Sequence, residues 1–304
     1  MENYEENRIL IEKHIVKNTD GRSRLKDYAA EVFSAIPSKK GIVKAVKRGE
    51  LLLNNEKAET GRIVKNNDEL SLYRTVKPPA KIFKLTYPVL YEDESLAVIC
   101  KPAGFEVNGN KFRTIENSLP NNLSASGEID ALPAPTAVHR LDYSTSGLLL
   151  IAKTKSASVQ LSRQFHDRTV GKKYTAVIMG KLKSDGEITT KVDNRTAHSS
   201  YKTLQVVNSI RSGHLSLVEL IPHTGRKHQL RVHMKELGCP ILGDPLYAEN
   251  TLKGKGLFLC STFISFTHPK TDKKMSFEIE PPAKFHKTLA RENELWCRHT
   301  ADKE

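Results

Sequence analysis

A chain of 304 residues with 38% hydrophobic and 27% charged residues has a globular composition, which excludes a disordered or fibrous protein. No stretch approaches the roughly eighteen apolar residues that cross a membrane, and the acidic start MENYEENRILIEKH is unlike a signal peptide, so we expect a cytoplasmic protein without a membrane partner. Lys and Arg outnumber Asp and Glu by 48 to 35, and the net charge of +13 favours a polyanionic partner such as RNA or DNA.

The N-terminal part of the chain predicts a small α/β domain at residues 22–76, after a loose, acidic lead-in at 1–21. Helical periodicity runs through RLKDYAAEVFSAI, and a second short helix is expected from about Lys40 to Gly49, with Ser38 as its N-cap. The segments LLLNN, GRIV and DELSLY are expected to be short strands.

The second predicted helix carries a basic face, because residues spaced by four, seven and eight positions lie on one side of a helix. These residues are Lys40, Lys44, Lys47 and Arg48. A helix pair with such a face, followed by a small β element, resembles the αL RNA-binding motif, and the resemblance implies that the four side chains bind RNA. The alternative is an ordinary solvated face.

A linker is predicted at residues 77–83, where Pro78 and Pro79 prevent a helix from continuing. Beyond it, residues 84–285 predict a catalytic domain with strands at 96–100, 147–153, 174–180, 214–221 and 257–266, and helices near 155–167 and 226–237. Strands dominate, so we expect an α+β fold on a mixed or antiparallel sheet. A short helix and tail are expected at 286–304.

Histidines and cysteines do not form a metal-binding pattern. The spacing of five between His223, His228 and His233 places successive rings about 140° apart on a helix, so they do not share an ion. The four cysteines lack C-x-x-C spacing, and we expect reduced thiols at Cys100, Cys239, Cys260 and Cys297. No nucleotide-binding glycine loop is present, so we expect neither a metal nor a cofactor.

The segment VHRLDYSTSGLLLIAKT at 138–154 places a charged trio and a Ser/Thr-rich turn directly before a buried strand. Spacing alone favours a local ion pair between Asp142 and Arg140 over a catalytic role. The string HRLD-x-x-TSGLLL-x-AK, however, resembles the signature of the RluA-type pseudouridine synthases. Three further blocks match this family in order: YEDESLAVICKPAG, GKKYTAVIMG and HTGRKHQLRVHMKELGCPILGDPLY.

The resemblance implies an enzyme that isomerises uridine to pseudouridine in structured RNA, with Asp142 as its catalytic nucleophile. Burial raises the pKa of a carboxyl group, so a cation must keep Asp142 ionised. Arg231, which matches the family's arginine, is the candidate, and it can grip the carboxylate through two parallel hydrogen bonds. Tyr174 matches the tyrosine that packs against the target base, although an ordinary half-buried strand tyrosine is its alternative.

Two arginines are expected to contact RNA, Arg140 by the resemblance and Arg226 by its place at an expected helix start. Arg140 contacts RNA or fills the stack that the target base leaves. Arg226 stands near the start of a helix expected from about Thr224, whose N-terminus could receive a phosphate. The substrate expected from the αL module is large-subunit ribosomal RNA, with tRNA as the alternative, and we expect a monomer.

Two other functions remain open. A non-catalytic RNA-binding protein would keep the fold, and a hydrolase would use Asp142 with a histidine such as His139. One departure from the family occurs after KPAG, where a histidine is common and this chain has GFEVNGN.

Overall fold

In the computed structural model, which describes residues 8–19, 21–75, 82–249 and 254–301, the chain divides into two units, Met1–Ala80 and Lys81–Glu304. The linker predicted at 77–83 stays a prediction, because residues 76–81 lie outside the described part.

The first unit is a four-stranded antiparallel sheet with two helices. Its elements are β1 (Arg8–Ile15), α1 (Leu25–Val32), α2 (Lys39–Lys47), β2 (Leu51–Leu53), β3 (Glu56–Lys57) and β4 (Glu69–Thr75), and the strand order is β1-β4-β2-β3. The helices bury Leu25 and Ala29 of α1 and Ile42 and Ala45 of α2 in one core. The predicted N-cap is confirmed, because the Ser38 hydroxyl accepts the Gly41 amide at 3.1 Å.

Two expectations for this unit are wrong. The loose lead-in at 1–21 contains β1, which pairs with β4 over its whole length, and the Glu12 carboxylate accepts the amides of Ser34 and Ala35. The acidic composition of residues 1–20 hid this strand, whose apolar side chains Ile9, Leu10 and Ile15 are exposed at the edge of the sheet. The segment GRIV is not a strand, since its only pairing within the described residues is an isolated bridge between Ile63 and Arg24.

The second unit is built on a ten-stranded sheet. Its strands are β5 (Val89–Glu92), β6 (Leu96–Lys101), β7 (Ala131–Ala137), β8 (Ser146–Thr154), β9 (Gly171–Met179), β10 (Asp185–Val192), β11 (Arg195–Ser209), β12 (Gly213–Pro222), β13 (Leu259–Thr267) and β14 (Lys274–Glu278). Its helices are α3 (Ile115–Asn122), α4 (Lys155–His166), α5 (Gln229–Glu236) and α6 (Lys284–Ala301).

The main strand order is β10-β11-β12-β9-β13-β8-β6-β5, with β14 beside β13 and β7 beside β8. Strands β8 and β13 are parallel, and the other pairs are antiparallel. The predicted α+β fold on a mixed sheet is therefore confirmed.

The centre of the sheet is covered on both faces. Leu148 and Leu150 of β8 pack in one core with Leu161 of α4, whereas Leu149 and Ile151 point to the other face and share a core with α3. This alternation follows from the two-residue period of a strand. It makes β8 a rigid support for the loop that precedes it.

The C-terminal helix belongs to the second unit rather than to a separate tail at 286–304. Phe285 and Leu289 of α6 are buried in the core that also holds residues of β9, β12 and β13, and the helix packs against β11 and β12. None of the helices in the described residues is long and apolar enough to cross a membrane.

Candidate active site

A cavity of about 710 Å³ opens in the second unit, and it collects residues that the sequence predicted to act together. Arg140, Asp142, Tyr174, Arg226 and Arg231 all line it. Among its lining residues, Asp142 is the one acid, whereas six are Lys or Arg, namely Arg140, Arg168, Lys172, Arg226, Lys227 and Arg231. A single carboxylate among many cations suits the binding of a nucleotide within a polyanion.

Asp142 lies in the loop between β7 and β8, and the buried side chain of Lys101 holds the backbone of this loop. The Lys101 ammonium donates to the carbonyls of Thr145 at 2.8 Å, Asp142 at 3.3 Å and Tyr143 at 3.4 Å. Burial lowers the pKa of Lys101 to about 8, although the charge of Asp142 acts in the opposite direction. The ammonium ion therefore still predominates at neutral pH, and it fixes where the Asp142 side chain begins.

Gly147 explains why this loop can lie against β13. Its φ is +110°, and a Cβ atom there would stand 2.2 Å from the Ser261 carbonyl oxygen. Only glycine fits this close approach. Because Ser261 pairs with Tyr174 across β13 and β9, the approach also brings the loop beside the tyrosine strand.

The two-pronged grip of Arg231 is directed at Asp244, not at Asp142. Arg231 Nε and Nη2 each donate to Asp244 at 2.7 Å, and Nη1 lies 3.8 Å from Asp142 Oδ2. The predicted bidentate pair between Arg231 and Asp142 is therefore wrong. The physical reason is that the edge of the guanidinium that carries Nε and Nη2 faces the turn after Gly243, which presents a fully buried carboxylate.

Burial opposes the charge of both partners in this pair, but their mutual contacts overcome the opposition. Burial acts to lower the pKa of Arg231, while the hydrogen bonds and the charge of Asp244 raise it above its usual value. Burial acts to raise the pKa of Asp244, while Arg231 and the amides of Leu246 and Tyr247 hold it below its usual range. Both groups remain charged, so Nη1 presents a fixed positive charge to Asp142.

Tyr174 stands on β9 with its ring packed between two hydrophobic cores. Burial raises the pKa of its hydroxyl to about 12, and the charge of Asp142 acts in the same direction. The hydroxyl is therefore neutral at physiological pH, and the ring forms part of the cavity wall.

His139 and Arg140, which lie in the same loop just before Leu141 and Asp142, point to different environments. Arg140 is exposed at the mouth of the cavity. The His139 ring stacks on Phe165 with centroids 4.5 Å apart, and its Nε2 accepts the Leu150 amide at 3.0 Å. Burial lowers the pKa of His139 to about 3, so the ring is neutral. It supports β8 and does not contact Asp142, which removes the basis for a hydrolase that uses this pair.

Arg226 lines the cavity but does not stand at a helix N-terminus. Helix α5 begins at Gln229, not near Thr224, and His228 is its N-cap residue. The Gln229 side chain accepts the Arg226 amide at 3.0 Å and the Thr224 hydroxyl at 2.7 Å, which holds residues 224–228 in a turn. The expected helix start near Thr224 is therefore wrong, whereas the binding of RNA by Arg226 stays a prediction.

Known proteins resemble this chain along most of its length. The profile of a family described as RNA pseudouridylate synthase matches residues 95–236. A Rickettsia bellii protein named ribosomal large subunit pseudouridine synthase C is 32% identical over an alignment that covers 90% of this chain and 99% of that protein. The chain belongs to the RNA pseudouridine synthase family. A Nitrosomonas europaea protein named ribosomal large subunit pseudouridine synthase D is 36% identical over 54% of this chain and 50% of its own length.

A solved structure of the family has a similar fold. Human RNA Pseudouridylate Synthase Domain Containing 4 aligns with a TM-score of 0.54 and 25% identity, over 67% of this chain and 92% of that one. The RluA-type resemblance predicted from the motifs is confirmed. The enzyme is an RNA pseudouridine synthase, which isomerises uridine within RNA, and it is not a binding protein without activity.

The basic face predicted in the N-terminal unit is present. Lys40, Lys44 and Lys47 are exposed on α2, and Arg48, also exposed, caps its C-terminus. The Arg48 Nε donates to Glu50 at 2.7 Å, so part of its charge is already compensated.

Sequence reasoning missed two residues that organise this synthase's site, Lys101 and Asp244. Both lie within blocks that resemble the family, and each had a local signal. Lys101 is a charged residue at the end of an apolar strand, and Asp244 follows Gly243, whose φ of +78° and closeness to the Gly256 carbonyl exclude a side chain. Neither signal identifies a partner.

Within the described ranges, no cluster of three or more His, Cys, Asp or Glu residues could hold a metal ion.

Proposed function

We propose that this enzyme isomerises a uridine in a structured region of large-subunit ribosomal RNA and that Asp142 is its catalytic nucleophile. The observation that carries the proposal is the position of Asp142 as the one carboxylate in a basic cavity, 3.8 Å from the fixed guanidinium of Arg231. The ribosomal substrate is supported by the relatives, which are named large-subunit pseudouridine synthases.

The reaction sets the demands on this carboxylate. The bond from the sugar C1′ to N1 of uracil breaks, a bond from C1′ to C5 forms, C5 loses a proton and N1 ends with one. An ionised carboxylate can add to the substrate to hold it during the rearrangement, or it can remove a proton. Both routes need a charged group with an accessible lone pair. Asp142, whose side chain is 20% exposed at the cavity wall, meets this requirement.

The commitment of Arg231 to Asp244 supports this role. Two carboxylates and one guanidinium leave the trio with one net negative charge, and the gap of 3.8 Å to Asp142 exceeds the roughly 3.2 Å limit of a hydrogen bond. A direct bidentate pair would occupy the oxygens of Asp142. The observed arrangement gives a positive field without blocking the nucleophile.

We propose that Tyr174 contacts the target base and that Arg140 contacts the RNA strand around it. A uridine must leave its stack to enter the cavity, which costs least in loops and weakly paired regions. The ring of Tyr174 then packs against the uracil. Arg140, exposed beside the catalytic loop, fills the vacated stack or contacts the RNA backbone, because a guanidinium both stacks on bases and pairs with phosphate.

Selection of the target uridine is proposed to come from contacts outside the cavity. Lys40, Lys44, Lys47 and Arg48 in the N-terminal unit, and Arg226 at the cavity, supply positive charge for phosphates. Such contacts favour a structured RNA with more than one attachment point and make binding weaken as salt rises. We also infer that the enzyme works as a monomer in the cytoplasm.

The test uses the full-length protein and three kinds of RNA: a large-subunit ribosomal RNA, a small-subunit ribosomal RNA and a set of tRNAs. Pseudouridine is mapped by its chemical reactivity at nucleotide resolution, with Asp142→Asn as the negative control. Modification at defined positions of the large-subunit transcript alone is expected. Efficient modification of tRNA instead would overturn the ribosomal substrate, whereas an active Asp142→Asn variant would overturn the role of Asp142.

A further inference from the structure

His228 has a backbone conformation that few side chains adopt. It precedes α5 with φ +55° and ψ +17°, in the left-handed region that costs free energy for residues other than glycine. This conformation directs a partly buried imidazole between two named groups. Nδ1 lies 3.1 Å from the Tyr247 hydroxyl, and Nε2 lies 3.8 Å from Asp142 Oδ1. Backbone strain at such a position is a reason to look for a function.

The surroundings of His228 favour a neutral ring. Burial lowers its pKa below the usual value, and the charges of Arg231 and Lys227 act in the same direction. The charges of Asp142 and Asp244 oppose them without reversing the shift. At neutral pH the imidazole therefore carries one N–H proton, and the position of that proton decides what Asp142 faces.

The Tyr247 hydroxyl can pair with either neutral tautomer of His228, and Asp142 decides between them. If the proton were on Nδ1, the lone pair of Nε2 would face the Asp142 carboxylate, which is unfavourable. If the Tyr247 hydroxyl donates to Nδ1, the N–H of Nε2 points at Asp142 Oδ1. Ionised Asp142 favours the second arrangement, and the contact of 3.1 Å allows it.

The carboxylate of Asp142 is then bracketed by two donors. His228 Nε2 faces Oδ1 and Arg231 Nη1 faces Oδ2, each at 3.8 Å. Both donors are held by the same turn, because Asp244 binds Arg231 and Tyr247 contacts His228 while its ring lies 5.1 Å from the Arg231 guanidinium. Hydrogen bonds at reaction centres are often this long before a substrate binds, and each oxygen of the carboxylate keeps a lone pair beyond the one that a donor takes.

We propose that His228 is a positioning residue for Asp142, with the Tyr247 hydroxyl donating to Nδ1 and so supporting the tautomer that presents Nε2–H to the carboxylate. This inference rests on the role proposed for Asp142. On this proposal, the left-handed conformation of His228 serves to orient Asp142 and not only to start α5.

The test compares two substitutions that separate side-chain reach from backbone tolerance. Asn adopts the left-handed region more readily than Gln, but its short amide does not reach Asp142. The amide nitrogen of Gln can occupy the place of Nε2. Single-turnover pseudouridine formation is measured for His228→Asn and His228→Gln, together with RNA affinity and the thermal midpoint of unfolding.

We expect His228→Asn to lower the single-turnover rate constant roughly 10- to 100-fold, the effect of losing one hydrogen bond to a charged group, with RNA affinity and folding retained. His228→Gln is expected to recover most of that loss. The opposite order, an active Asn variant and an impaired Gln variant, would show a purely conformational role. Equal losses in both variants would also overturn the proposal.

Tyr247→Phe tests the tautomer, because it keeps the ring beside Arg231 and removes the hydroxyl. We expect a smaller loss than in His228→Asn, and no further loss when Tyr247→Phe is added to His228→Gln, since an amide has no tautomer to set. The same loss in both backgrounds would overturn the role of Tyr247.

The variant Asp142→Asn in the same assay distinguishes the proposal for His228 from the proposal for Asp142. If Asp142→Asn is active, the role of Asp142 fails. If Asp142→Asn is inactive and His228→Asn is fully active, only the role of His228 is overturned.

Discussion

The two basic surfaces of this enzyme are built in different ways. On α2, Lys40, Lys44 and Lys47 are exposed, and their long side chains stand in solvent. At the cavity, Arg231 in the wall is 3% exposed and Lys101 is fully buried behind the Asp142 loop, and each is held by several hydrogen bonds in one geometry. Both surfaces are positive, but only the second is backed by buried cations, Lys101 and Arg231, whose positions are fixed.

The difference between the two surfaces is that exposed lysines attract RNA, whereas buried cations orient particular groups at the reaction site. Exposed lysines act through their summed charge, which tolerates movement and is screened by salt. Buried cations act through direction and distance, because their burial is stable only with particular partners. Substitutions that keep the charge should therefore be harmless on α2 and damaging at the buried cations Lys101 and Arg231.

The largest effect is expected for Asp142→Asn, which keeps volume and removes the negative charge. We expect single-turnover isomerisation to fall by more than about a thousandfold, as for the loss of other catalytic nucleophiles, with RNA affinity nearly unchanged. Asp185→Asn on β10, an exposed position, is the matched control for the change in charge. Turnover near the normal rate in Asp142→Asn would remove Asp142 from the mechanism.

Arg231→Lys tests whether the cavity needs geometry rather than charge. Lys cannot bind Asp244 through two parallel hydrogen bonds and also present a third nitrogen to Asp142. We expect a loss of roughly 100-fold in rate, similar to the removal of one fixed donor from a reaction centre. Arg226→Lys, in the same cavity wall, is the control and should change the rate little. Similar activity in both lysine variants would contradict the distinction between the two surfaces.

Two substitutions of Tyr174 in the cavity wall separate the contribution of its ring from that of its hydroxyl. Tyr174→Phe keeps the ring and should lower the rate only a few-fold, whereas Tyr174→Leu removes the aromatic face and should lower it about tenfold or more, since base stacking contributes about 1–3 kcal/mol. Rates and RNA affinity are measured for both variants at saturating enzyme. Equal losses would mean that the hydroxyl, and not the ring, carries the effect.

The smallest effect is expected on α2. Replacing Lys40, Lys44 and Lys47 together by Gln should weaken RNA binding roughly tenfold or less at moderate salt. It should also make the salt dependence shallower, by about one unit of slope for each phosphate that the lysines no longer neutralise. Arg48→Gln should matter less, because Arg48 already pairs with Glu50. The triple Lys→Arg variant keeps the charge and should bind normally. An unchanged salt slope in the Gln variant would identify an ordinary solvated face.

Much of the fold could be predicted because local patterns reflect backbone geometry. Apolar runs predicted β6, β8, β9, β12 and β13, and the helical period predicted α4. The sequence did not indicate β10 or much of β11, since strands at or near a sheet edge carry polar residues and lack a clear alternation. It also did not indicate β1, because of the acidic composition of residues 1–20. Helix α5 was placed several residues too early, because Thr224 is a suitable cap by type but its hydroxyl bonds to Gln229 instead.

The sequence by itself determined the family, the basic face of α2, and the set of side chains that meet in the cavity, because ordered motifs and helical spacing are properties of short segments. Only the tertiary structure decided their pairings. Asp142 and Asp244 are chemically equivalent partners for Arg231, and the guanidinium fork binds the buried Asp244 because the turn after Gly243 brings that carboxylate against its Nε–Nη2 edge. Lys101 likewise donates hydrogen bonds to the backbone of the Asp142 loop, which lies more than 40 residues away along the chain. Such choices depend on how distant segments approach, which no local pattern encodes.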